Sequence, residues 1–80
     1  MKYWALDYVN GRDGECELVY NDQLYATEAD AAAAREATKC PDLFDITWYT
    51  TADLRDTVYC LEAGEVLEID KDLKVHIIQM

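Results

Sequence analysis

His76 is the single imidazole of the chain, and Cys16, Cys40 and Cys60 are its three thiols. Together they match the ligand count of a three-Cys, one-His zinc site. Their spacing does not match, because structural zinc sites draw ligands from close pairs such as C-x-x-C. Cys–His nucleophilic chemistry would need a thiol beside His76, which only the fold could arrange. The chain has no serine, so Ser–His hydrolysis is excluded. Asp70-x-Asp72 and Asp42-x-x-Asp45 offer carboxylates to a hard cation, but a calcium loop needs more ligands and a glycine turn. Turn and strand-end aspartates account for both stretches. Three glycines and no G-x-x-x-x-G-K or G-x-G-x-x-G exclude a phosphate loop. These residues imply no cofactor, no metal and no catalytic group, and the chain is expected not to be an enzyme.

Acid is the remaining chemical resource. Asp and Glu number 17 against 7 Lys and Arg, for a net charge of −10. Phosphate contacts need Lys and Arg, so direct nucleic-acid binding is disfavoured, as is attachment to anionic lipid. The same charge suits a basic protein partner, or serves solubility alone. Three scattered cysteines and an N-terminus of MKYWALDYVN, with Asp7 where a leader would be apolar, suggest a reduced, cytoplasmic setting.

The elements that would carry these groups follow from periodicity. Residues 3–9 alternate, with Trp4, Leu6 and Tyr8 on one face. Residues 10–14, NGRDG, read as a turn and residues 15–20 as the returning strand. Pairing Val9 with Glu15 gives one apolar face: Tyr8 meets Cys16, Leu6 meets Leu18 and Trp4 meets Tyr20. It also opposes Asp7 and Glu17. On an open sheet such a pair stays solvated, which suits binding better than acid–base catalysis. Residues 23–26 read as extended. An alanine-rich helix then runs from Glu28 towards Cys40, where Pro41 stops it, and Ala29, Ala33 and Ala37 face the sheet. Residues 43–49, LFDITWY, form the clearest strand, with Asp45, Thr47 and Tyr49 on one side of it.

Leu54, Val58 and Leu61 recur at helical spacing and favour a second helix over residues 51–63, although residues 57–61, TVYCL, are rich in strand formers. Thr-x-Ala-Asp occurs at both helix starts. Thr27 and Thr50 suit the N-cap, and Asp30 and Asp53 the third helical position. The tail reads as a hairpin around residues 70–72, with Ile69 opposite Leu73 and Glu68 opposite Lys74.

The order β-β-α-β-α-β-β predicts one α+β domain over residues 1–80: a two-layer sandwich in which a mixed sheet of four to five strands carries two helices on one face. The helix-free face would present Tyr3, Asp7, Glu17, Asp45, Tyr49 and His76 to a protein partner. The chain is then a small acidic domain acting by protein–protein interaction, a description that fits phage or mobile-element accessory proteins. A second copy of the chain is one candidate partner. Two other functions stay open: a nucleic-acid-mimicking inhibitor of a DNA-binding protein, and a small Cys/His-dependent enzyme or metal-binding protein.

Overall fold

The computed structural model describes residues 2–8 and 19–80. Strand β1, Lys2–Tyr8, pairs antiparallel with β2, Phe44–Thr50. β1 is dense in aromatic residues and β2 in aromatic and β-branched ones, types that pack well on a pleated surface. In this register Trp4 faces Trp48, Tyr3 faces Tyr49 and Asp7 faces Asp45. A second antiparallel pair joins β3, Glu65–Ile69, to β4, Val75–Gln79.

The expected single mixed sheet is therefore corrected to two small antiparallel sheets and two helices. The chain returns from the first helix alongside β1 in the opposite direction, so the parallel crossover never forms. Trp4 does not meet Tyr20, which opens a 3-10 turn over Tyr20–Asp22. It exchanges both backbone hydrogen bonds with Tyr25, at 2.9 and 2.7 Å. The expected pairs of Val9, Cys16, Glu17 and Leu18 lie outside the described residues. Residues 23–25 are extended, and they also reach the second sheet. The Leu24 N–H donates to the Leu73 carbonyl at 2.8 Å, and Gln23 forms a bridge to Lys74.

The C-terminal hairpin is displaced from its expected register by two residues: Ile69 pairs with Val75, and Glu68 faces His76 rather than Lys74. Leu73 adopts a left-handed φ of 62°, and the Asp70 carboxylate accepts from the N–H groups of Asp72 and Lys74 at 2.8 and 3.0 Å. Together they lengthen the loop. A two-residue shift leaves each side chain on its original face.

Helix α1, Glu28–Ala37, starts at Thr27, whose hydroxyl accepts from the Asp30 N–H at 3.1 Å. It stops short of Cys40 because Thr38 turns extended and its hydroxyl donates to the Arg35 carbonyl. Ala31 and Ala34 face the sheet, whereas Ala29, Ala33 and Ala37 are exposed. The second helix, α2, is one turn, Thr51–Asp53, that widens into a π turn over Leu54–Val58. β-Branched Thr57 and Val58 lose side-chain freedom in a helix. Cys60, at a φ of 48°, then ends it. Residues 59–62 are neither helix nor strand, so the expected helix to residue 63 is cut short.

At α2 the capping box is complete: the Thr50 hydroxyl accepts from the Asp53 N–H, and the Asp53 carboxylate accepts from the Thr50 N–H, both at 3.1 Å. Thr27→Ala and Thr50→Ala are each expected to cost about 1 kcal/mol in urea unfolding. Asp53→Ala should cost more than Asp30→Ala, since only Asp53 closes a box. Equal losses would show that the carboxylate half contributes nothing.

The two helices lie on opposite faces of the first sheet. Ala5 and Leu54 share one core with Val19, Leu24 and Val75, against which Tyr3, Tyr49 and the hairpin residues Leu67 and Ile69 pack. Leu6, Phe44 and Ala31 form the other, with Tyr8, Tyr20 and Tyr25 around it. Both faces of β1 are thus buried, Ala5 to 0% and Leu6 to 1% exposure. The helix-free face expected for this sheet is replaced by a second packed layer.

Candidate functional site

Four of the six predicted partner-binding residues come together on the first sheet. Tyr3 opposes Tyr49, Asp7 opposes Asp45, and the Tyr49 hydroxyl donates to the Asp7 carboxylate at 3.4 Å. Tyr3 and Tyr49 pack against the first core, Asp7 is half-buried and Asp45 is exposed. Glu17 lies outside the described residues. His76 stands apart on β4, where its Nε2 lies 2.8 Å from the Asp70 carboxylate.

Burial pushes the Asp7 carboxyl above its ordinary range. The Tyr49 hydrogen bond opposes that rise, and the facing Asp45 adds to it. Burial and the nearby Asp7 likewise raise the Tyr49 phenol, so its proton stays in place as donor. A raised carboxyl favours folding below the ordinary carboxylate range, and that contribution is lost as pH rises through the folded-state value. At neutral pH the ionised Asp7 is therefore a cost. Asp7→Asn is expected to stabilise the domain by about 0.2–1 kcal/mol at pH 7, the worth of a like-charge cross-strand pair. The gain should vanish in acid. Thermal melts at pH 7 and pH 3 check this, and destabilisation at pH 7 would refute it.

Asp70 behaves in the opposite way. Its hydrogen bond with His76, followed by those from the loop N–H groups, holds its carboxyl below the usual range. Asp70 and Asp72 thus sit in a loop whose backbone the Asp70 carboxylate organises. Cys40 and Cys60 are exposed free thiols. Among the described residues, no group of three or more His, Cys, Asp or Glu side chains could hold a metal ion. No helix among them is long and apolar enough to cross a membrane.

One exposed feature was missed in the sequence reading. Trp48 remains 47% exposed, and the Lys2 ammonium lies 4.6 Å from its ring centroid and 5.5 Å from that of Trp4. The signal was available in part, since alternation puts Lys2 and Trp4 on one face of β1, and Trp4 pairs with Trp48. The backbone around Trp48 is directed outward too. In an antiparallel pair, opposed residues alternate between exchanging backbone hydrogen bonds and not doing so. Tyr25 takes both backbone groups of Trp4, so those of Trp48, and of Ile46 two residues away, point to the outer edge of β2. No described strand pairs with that edge.

No family model matches the chain, and no solved structure matches it. Over 59 residues it is 36% identical to the methylthioribulose-1-phosphate dehydratase of Pyricularia oryzae. That match spans 72% of this chain but 22% of the dehydratase, so the chain is similar to less than a quarter of that protein.

Proposed function

We propose that this domain works by binding a basic protein partner rather than by catalysis, and that the partner docks on the Trp48 edge of β2. The observation that carries this reading is an exposed tryptophan beside outward-facing backbone groups. Tryptophan is enriched among the residues that dominate interface energies. An extended segment can add to such an edge through main-chain hydrogen bonds. Lys2 demonstrates that the Trp48 ring accepts a cation. A net charge of −10 would steer Arg- or Lys-rich segments towards it. In this reading exposed Asp45 adds local charge, while Tyr3, Asp7 and Tyr49 hold the strand pair in register. His76 lies on the other sheet and takes no part.

Affinity capture from a host lysate at low and high salt tests it. A partner should bind at low salt and weaken at high salt. Trp48→Ala should weaken it by about 2 kcal/mol at matched folded fraction, beyond the stability of about 0.2–1 kcal/mol lost with its cross-strand contact to Trp4. A partner held equally well by Trp48→Ala, or none at either salt, would sink the proposal. Displacement of the partner by duplex DNA would instead point to nucleic-acid mimicry.

The likeness to the dehydratase favours a second reading, in which the chain shares in chemistry of that kind. Incubation with methylthioribulose 1-phosphate, followed by NMR, decides it: conversion supports the reading and unchanged substrate opposes it.

A further inference from the structure

A groove of about 660 Å³ runs between the end of α1 and the loop leading into β4. Its volume falls in the range of small-molecule sites, about 300–1,000 Å³. Leu6, Ala34 and Phe44 form an apolar base, and Tyr8, Tyr20 and Tyr25 supply aromatic walls. The Phe44 ring lies 4.9 Å from that of Tyr8 and 4.7 Å from that of Tyr20, so these rings brace one another.

Among the described residues, the charge at this groove is inverted relative to the molecule. Acidic residues outnumber basic ones 17 to 7, yet no described carboxylate lines the groove, and Lys39 and Lys74 both do. Lys74 is anchored there, its ammonium donating to the Asn21 carbonyl at 2.8 Å. An ammonium has three donors, so it can serve a ligand as well. Burial and the neighbouring Tyr20 push the Tyr25 phenol up, which keeps a neutral O–H donor on the groove wall.

From this juxtaposition of an aromatic, apolar base with two lysines in an otherwise acidic molecule, we propose that the groove binds a small aromatic anion. The ring lies against Phe44 and the tyrosines, and the anionic group lies at Lys39 and Lys74. Anionic ligands that lack a ring, and neutral aromatics, satisfy only half of the site. The site lies apart from the Trp48 edge and does not depend on how that edge is used.

Amide NMR of the full chain decides the matter, with three probes: phenyl phosphate, inorganic phosphate and benzyl alcohol. Phenyl phosphate should shift the amides of Ala34, Ala37, Lys39 and Lys74 saturably. It should bind at least about tenfold more tightly than either of the other two, because it engages both halves of the site. Lys39→Gln should weaken phenyl phosphate and leave benzyl alcohol unaffected. Ala37→Leu, placed at an exposed position on the groove wall, should block both without changing the thermal midpoint. Added salt should weaken phenyl phosphate in the unaltered chain, an arm that does not depend on any variant folding. Equal affinity for phenyl phosphate and benzyl alcohol would overturn the proposal. So would inorganic phosphate binding as tightly as phenyl phosphate, or shifts that lie outside the groove.

Discussion

Leu24→Ala is expected to lower the unfolding free energy by about 2–5 kcal/mol. Leu24 is fully buried, in the core it shares with Ala5, Val19, Leu54 and Val75. Its backbone N–H also binds the Leu73 carbonyl, so its position is fixed from both ends and the cavity cannot collapse easily. A domain of this size commonly has only about 5–10 kcal/mol of stability in total. The variant should therefore lose a large fraction of the domain's stability. Urea titration followed by tryptophan fluorescence measures the loss, and a loss below about 1 kcal/mol would contradict the packing described.

Phe44→Ala is expected to cost a further-reaching 3–5 kcal/mol, or about that amount. Phe44 is 4% exposed in the other core, beneath the Tyr8 and Tyr20 rings. The two cores lie on opposite faces of β1, which lends Ala5 to one and Leu6 to the other. Loss of either core should therefore release the same strand. Both variants should then unfold in one transition, with fluorescence and far-UV circular dichroism coinciding. Separated transitions in Phe44→Ala would show that the two cores are independent.

Local grammar was the most legible part of the chain. Thr27 and Thr50 announced the helix starts, and the alternation of Phe44, Ile46 and Trp48 against Asp45, Thr47 and Tyr49 announced β2. What failed was partnership between distant segments. Alternation states that β1 has two faces but not which strand lies beside it, and both faces proved apolar enough to bury. Asp7 meets a like charge across the ladder in Asp45, as antiparallel pairing with β2 requires. The hairpin register slipped because the acceptor capacity of Asp70 and the left-handed Leu73 are properties of the loop, invisible to strand periodicity. For the candidate site, Tyr3, Asp7, Asp45 and Tyr49 do gather on one face of the sheet, with Tyr3 and Tyr49 packed against the first core and Asp45 exposed, while the exposed aromatic is Trp48. Sequence alone gave no sign of which face the second helix would cover.

The two sheets also differ in how much chain separates their strands. β3 and β4 are joined by a short loop, whereas β1 must wait for β2, with α1 lying between them. Loop closure over that distance carries a larger entropic penalty, and non-local strand pairing slows folding. On a ribosome β1 would emerge ahead of β2 and lack that partner until residue 50 had been made. During that interval its Trp4, Leu6 and Tyr8 face would stand open, which makes this strand the part of the newborn chain most in need of shelter.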